Sequence, residues 1–136
     1  MKLAIFGATG ATGQCLVEQA LSQGYDVTVL VRNPLALTTQ HAHLSIVAGD
    51  VLRQASVEEA IANQDAVLCT IGGHDRLRVA LSGHPRQKGL CTVGTSNILD
   101  AMKKYGVSRF ICLSAGGLAT ALTDFLSSSS TSFFPC

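Results

Sequence analysis

Short apolar runs alternate along the chain with segments whose apolar residues recur at helical spacing. The first run, Lys2–Phe6, ends in glycines, and residues 16–21 then place apolar side chains on one helix face before Gly24, a natural helix end. The next run, Asp26–Val31, is rich in β-branched residues and stops before Pro34, which keeps the preceding residue out of helical geometry. This stretch predicts a strand, a helix and a second strand.

Three further apolar runs extend the alternation. Leu44–Ala48 predicts a third strand, residues 66–71 predict a fourth and residues 109–113 predict a fifth. Strands that alternate with helices at this spacing form right-handed βαβ units and build a parallel sheet. We therefore predict a single α/β domain, a doubly wound parallel sheet of the Rossmann type, in the order 3-2-1-4-5. Ligands bind such a sheet beyond the carboxyl ends of its strands.

Two more helices are predicted between these strands. Ser56, with Glu59 three residues later, has the pattern of a capping box for a helix that runs through Ile61. Leu90–Tyr105 predicts a longer helix, which Gly106 ends. The residues on its inward stripe are Ile98, Leu99 and Met102.

The composition fits a packed domain and argues against several partners. The 136 residues are 47% hydrophobic and 14% charged, which suits a sheet buried on both faces. A formal net charge of +1, without a long basic run, gives no reason to expect nucleic acid or an anionic membrane as a partner. No segment approaches the roughly 20 apolar residues that span a bilayer. We expect a cytoplasmic protein.

The five cysteines are scattered, with no closely spaced pair and no histidine at zinc-ligand spacing. We interpret them as buried reduced thiols and expect no metal site.

A glycine-rich loop directly after the first predicted strand carries the clearest chemical signal. Residues 7–13, GATGATG, lie between a strand and a helix, which is the context of a dinucleotide-binding loop. Small residues allow close backbone approach, and the N–H groups and positive dipole end of the helix face a pyrophosphate. The alternative is a purely structural turn. The predicted binding residues are Gly7, Thr9, Gly10, Ala11, Thr12 and Gly13.

Arg32 follows the second predicted strand, where a carboxylate would accept hydrogen bonds from an NAD ribose. No Asp or Glu occurs from Val27 to Ala48, and a guanidinium at this place suits a 2′-phosphate. The sequence therefore predicts NADP(H) as the cofactor, with a solvated arginine at the start of a loop as the alternative.

Three further positions near the strand ends, and one cationic loop, have alternative interpretations. Asp50 is placed to meet the adenine ring, or serves as a turn residue. Gly72 and Gly73 let the chain pass close to the cofactor, or simply end a strand. In the loop of residues 74–88, either two of the cationic side chains supplement Arg32 or contact an anionic substrate, or the loop is simply solvated.

Four segments carry a resemblance to a known family: GATGATG at residues 7–13, VRNP at 31–34, GDV at 49–51 and FICLSA at 110–115. With these, residues 1 to about 115 resemble the atypical short-chain dehydrogenase/reductases. The closest group is the NAD(P)H-binding one that includes flavin reductase/biliverdin-IXβ reductase and the NmrA-like proteins. The resemblance implies hydride transfer from NADPH to a flavin, a tetrapyrrole, a quinone or a small carbonyl compound.

The resemblance also implies roles for individual residues. Asp50 and Val51 match the adenine wall, and Arg32 matches the 2′-phosphate ligand. Ser114 matches a catalytic serine beside the nicotinamide, although a strand-terminal hydroxyl bound to a turn is an equal alternative. Cys112, in the same segment, is predicted to contact the cofactor.

The last part of the chain departs from this family pattern. No Tyr-x-x-x-Lys pair follows Ser114, and the family-like sequence is predicted to end near Ala115, as in a truncated product. We predict a nucleotide-binding domain over residues 1–115 and an atypical, partly disordered tail over residues 116–136. The fifth strand would then lie at an exposed sheet edge, which favours a homo-oligomer or limited stability. A non-catalytic NADP(H) sensor and an inactive product are the alternatives to a reductase.

Overall fold

A computed structural model describes residues 1–71 and 90–113 of the chain. Its strands are β1 (Lys2–Phe6), β2 (Asp26–Val31), β3 (Leu44–Ala48), β4 (Ala66–Cys69) and β5 (Arg109–Cys112). Its helices are α1 (Ala11–Ser22), α2 (Gln54–Ile61) and α3 (Leu90–Tyr105), and a short 3₁₀ turn covers Pro34–Ala36.

The strands form one parallel sheet in the order β3-β2-β1-β4-β5. This order confirms the predicted α/β doubly wound fold. The fourth strand is two residues shorter than predicted and the fifth is one residue shorter. Directly after β4, the Thr70 hydroxyl donates to the carbonyl oxygens of Phe6, the last residue of β1, and of Gly7.

The helices cover the two faces of the sheet and create two hydrophobic clusters. Burial of each large aliphatic side chain in such clusters stabilises the fold by about 1.5–3 kcal/mol. On the α1 face the buried residues include Leu3, Ile5, Val17, Leu21 and Val29. On the face covered by α2 and α3 they include Phe6, Val57, Ile61, Val67, Ile98 and Met102.

The start of α2 corrects one prediction. The helix begins at Gln54, and its N-cap residue Arg53 makes no side-chain capping bond, so the expected capping box at Ser56 is wrong. Ser56 lies inside the helix and packs against Gly49, where an added β-carbon would lie 2.6 Å from the Ser56 Cβ. The predicted helix end at Ile61 is confirmed, but tertiary packing uses the serine for another contact.

β5 pairs only with β4 among the described strands and therefore lies at an edge of the described sheet. Ile111 and Leu113 are 49% and 42% exposed there, so this edge is not covered by the elements described. The expected homo-oligomer stays a prediction.

Candidate functional site

The strand register brings the predicted site residues to one edge of the sheet. Phe6, the last residue of β1, is level with Leu30 of β2 and with Cys69 of β4. The segments that follow these strands therefore emerge side by side at the carboxyl edge. The glycine-rich loop, Arg32 and Asp50 all lie at this edge, whereas the predicted residues Gly72, Gly73 and Ser114 lie outside the described residues.

The glycine-rich loop makes a tight turn between β1 and α1. Gly7 has a φ of 86°, a left-handed conformation that favours glycine, and its carbonyl oxygen accepts the Gly10 N–H at 3.1 Å. Ala8 is buried beneath the turn. The four central positions face outward, where a ligand has access to them: Thr9, Gly10, Ala11 and Thr12.

Gly10 and Gly13 meet different surroundings. A β-carbon at position 13 would lie 2.7 Å from the Gly7 carbonyl carbon and 2.8 Å from the Ala8 Cα. A β-carbon at position 10 would come no closer than 3.5 Å to the Gly7 oxygen, which is an ordinary contact. The fold itself requires glycine at position 13, while position 10 has room for a side chain.

The N-terminus of α1 is suited to an anion. Its N-cap is Gly10, no side chain among the described residues caps it, and its first turn contains no acidic residue. The first amides of a helix have no partner within the helix, and the dipole places about half a positive charge at this end. This terminus therefore offers N–H donors and a favourable potential to a phosphate group.

Thr70 is a positioning residue that the sequence analysis missed. Its hydroxyl donates to the carbonyl oxygens of Phe6 and Gly7, at 3.0 Å and 3.2 Å, and its N–H donates to the Phe6 oxygen at 2.9 Å. These bonds hold the point where the chain leaves β1 and enters the loop. The signal available in the sequence was a hydroxyl residue at the end of the strand that neighbours β1.

Arg32 and Asp50 differ in their surroundings. Arg32 is exposed directly after β2, where it is accessible to a ligand at the sheet edge. Asp50 accepts the N–H of Leu52 at 3.0 Å, so its predicted turn role is present in the structure. Its contact with adenine stays a prediction.

Val51 is 8% exposed and packs against Gly94 of α3. Its carbonyl oxygen accepts a bond from the Asn97 amide at 2.9 Å. These contacts hold the segment after β3 against α3. The predicted contact of Val51 with the adenine ring stays a prediction.

Two cysteines lie together near the same edge. Cys69 and Cys112 are the last residues of β4 and β5 and are partners in the strand register. A hydrogen bond from the Cys69 thiol lowers the pKa of Cys112 from 9.0 to about 7, against an opposing effect of burial. The predicted contact of Cys112 with a cofactor stays a prediction.

Within the described ranges, no helix combines the length and the apolar character needed to cross a bilayer.

A comparison with known families identifies the ligand class of this fold. Residues 7–135 match the family described as NAD(P)H-binding. The chain belongs to this family. The match of this NAD(P)H-binding chain continues beyond Ala115, so the similarity extends further along the sequence than predicted.

Several relatives have functional names, among them a photosystem II assembly factor and an isoflavone reductase homologue. Photosystem II assembly factor Ycf39 of Synechocystis is 28% identical over 84% of this chain and 33% of its own length. Isoflavone reductase homolog A622 of Nicotiana glauca is 32% identical over 81% of this chain and 34% of its own length. The NAD(P)H-binding chain thus spans about a third of the length of these two relatives.

A solved structure agrees with the fold. The enzyme WbmH of Bordetella bronchiseptica, in complex with NAD⁺, has a TM-score of 0.65 and 27% identity to this chain. The alignment covers 80% of this chain and 37% of WbmH. The sheet and the glycine-rich loop described above therefore belong to an NAD(P)H-binding Rossmann-type domain.

Proposed function

We propose that this chain is the nucleotide-binding part of an NADPH-dependent reductase. The observation that carries the proposal is the arrangement at the carboxyl edge: an uncapped α1 N-terminus beside an exposed glycine loop, with exposed Arg32 directly after the neighbouring strand β2. In this proposal the amides at the start of α1 bind the pyrophosphate, and the Thr9 and Thr12 hydroxyls add donors. The Arg32 guanidinium binds the 2′-phosphate of NADP(H).

The protein's own part in the reaction is to hold and orient the dinucleotide. When bound, NADPH supplies the hydride, so the acceptor must be aligned with the nicotinamide and no protein nucleophile is needed. Thr70 keeps the loop in place through Gly7. Ser114 follows β5 by two residues in sequence, and we propose that it lies beside the nicotinamide and the acceptor.

The proposed acceptor is a flavin, a tetrapyrrole, a quinone or a small carbonyl compound. The similarity to a protein named as an isoflavone reductase homologue supports reduction of a small organic molecule. The similarity to Ycf39, named as an assembly factor, supports a second candidate, a non-catalytic NADP(H)-binding protein that acts through a partner.

Turnover distinguishes the two candidates. The full chain is mixed with NADPH and then with FMN, biliverdin or a quinone, and the loss of NADPH absorbance is followed. The reductase proposal predicts acceptor-dependent oxidation that decreases in Ser114→Ala while NADPH binding is kept. Binding without oxidation of NADPH by any of these acceptors would contradict it and favour the non-catalytic candidate.

The matched control for the proposed role of Arg32 in NADPH binding is Arg109→Gln. Arg109 is an exposed arginine at the amino end of β5, on the opposite edge of the sheet from Arg32. Its loss should leave NADPH oxidation unchanged, whereas Arg32→Gln should raise the NADPH concentration needed for half-maximal rate.

A further inference from the structure

Cys69 and Cys112 occupy directly paired positions at the ends of two parallel strands. Adjacent strands lie about 4.8 Å apart, and paired residues direct their side chains to the same face. Disulfides join Cα atoms separated by about 4.4–6.8 Å. Both side chains belong to the cluster under α2 and α3. The backbone therefore holds the two Cα atoms at a separation that a disulfide can span.

The two thiols differ in access. Cys69 is 1% exposed, while Cys112 is only partly buried and can be reached from solvent. The Cys69 thiol donates a hydrogen bond to the Cys112 sulfur and favours its thiolate form. A thiolate is the reactive form of cysteine toward oxidants. Cys112 is thus placed to react with an oxidant first. Cys69, in the core, is placed to attack the oxidised Cys112 sulfur afterwards.

We propose that Cys69 and Cys112 form a reversible disulfide when the protein meets a hydroperoxide. The Cys112 thiolate attacks one oxygen of hydrogen peroxide and the O–O bond breaks, so that Cys112 becomes a sulfenic acid and the second peroxide oxygen leaves as hydroxide. The Cys69 sulfur then attacks the Cys112 sulfur, forming the S–S bond and breaking the S–O bond. The released hydroxyl group takes the Cys69 proton and leaves as water.

The electrons balance in this sequence. Two thiols lose two electrons and two protons, and hydrogen peroxide accepts them to become two water molecules. An added dithiol restores both cysteines by thiol–disulfide exchange. The site needs no nucleotide, so it extends beyond the proposed reductase function.

The bridge would form beside the dinucleotide loop. Thr70, whose hydroxyl bonds to the Gly7 carbonyl, directly follows Cys69, and the Leu113 N–H donates to the Cys69 carbonyl at 2.9 Å. The disulfide therefore links the two strand ends that flank this part of the carboxyl edge.

Peptide mapping of the full-length wild-type protein tests the proposal directly. The protein is treated with hydrogen peroxide, its remaining thiols are alkylated, and it is digested without reductant for mass spectrometry. We expect a Cys69–Cys112 peptide pair that is lighter by two hydrogen atoms and disappears after dithiothreitol. Cys15→Ser, which removes a partly buried thiol of α1, should leave the pair unchanged, and Cys112→Ser should abolish it.

A second variant tests the order of the two steps. In Cys69→Ala the Cys112 sulfenic acid has lost its partner and should be trapped by dimedone. At a pH where Cys112 is a thiolate in both proteins, we expect several-fold more adduct than in the wild type. The proposal is overturned if wild-type Cys112 proceeds to sulfinic acid or bridges to another cysteine while Cys69 stays reduced. Because the wild-type map needs no substitution, a folding defect in a variant does not obscure this result.

Discussion

The backbone of Gly13 packs against the carbonyl group of Gly7, where a β-carbon at position 13 would lie 2.7 Å from the carbonyl carbon. This contact seats the start of α1 on the end of β1 and leaves the outer side of the loop open. Gly10, at the rim, has no comparable neighbour. Gly13 is therefore required by the packing of the fold, whereas Gly10 keeps the loop open to a ligand.

We predict that Gly13→Ala and Gly10→Ala separate stability from binding. Gly13→Ala should lower the free energy of unfolding by about 1–3 kcal/mol, because the loop must shift to accept a methyl group. Gly10→Ala should cost less than about 1 kcal/mol, as an unfavourable N-cap, but should weaken NADPH binding roughly tenfold or more by intruding on the pyrophosphate. Urea unfolding and calorimetry measure the two effects. Equal losses of stability in both variants would contradict this assignment.

Arg32→Gln should weaken NADPH binding by about 1.5–3 kcal/mol, or roughly tenfold to a hundredfold, with little change for NADH. The reason is that only NADPH carries the 2′-phosphate that the guanidinium would bind. Calorimetric titration of the variant with both nucleotides measures the difference, and Arg109→Gln serves as the control. An equal loss for NADH would show that Arg32 does not recognise the 2′-phosphate.

The rate of Cys112 alkylation in the folded protein should rise with pH around the lowered pKa of this thiol. Because the pKa is lowered from 9.0 to about 7, the thiolate forms about two pH units earlier than in the unfolded chain. We expect the iodoacetamide rate at Cys112, followed by peptide mass spectrometry, to reach half its maximum near pH 7. Cys69→Ala removes the hydrogen-bond donor and should move this midpoint upward. A wild-type midpoint near pH 9 would contradict the hydrogen bond.

The exposed ion pair between Glu58 of α2 and Lys104 of α3 should give a small, salt-sensitive stabilisation. The two groups are 2.7 Å apart, which lowers the pKa of Glu58 and raises that of Lys104. The Glu58 contribution is therefore complete above its ordinary pKa of 4.5 and is lost as the pH falls through the lowered value. It also decreases with added salt.

Urea unfolding of Glu58→Gln at low and high salt measures this contribution. The exposed neighbour Glu59 supplies the control, Glu59→Gln, which should leave the unfolding midpoint nearly unchanged. A midpoint difference between wild type and Glu58→Gln that persists in high salt or below the Glu58 pKa would show that the side chain acts through packing instead.

Much of the fold was predictable because apolar runs and glycine ends are local signals. The bounds of β1, β2, β3 and α3 follow directly from their sequence patterns. The start of α2 was not predictable, since Ser56 is used to pack on Gly49, a residue seven positions away. The sequence around a helix end does not show which of its side chains will instead pack against another segment of the fold.

The site was predictable only in part, for a similar reason. The glycine-rich loop is contiguous in sequence, so its motif identified it. Thr70 and the Cys69–Cys112 pair depend on contacts across strands that are far apart along the chain. Only the strand register shows that these side chains meet at the carboxyl edge.

The most direct test of the central claim is calorimetric titration of the purified full-length protein with NADPH and, separately, with NADH. We predict NADPH binding at one site per chain, at least tenfold tighter than NADH, because the α1 N-terminus would bind the pyrophosphate of both nucleotides while Arg32 would bind the 2′-phosphate that only NADPH carries. Tighter binding of NADH, or no binding of either nucleotide, would contradict it.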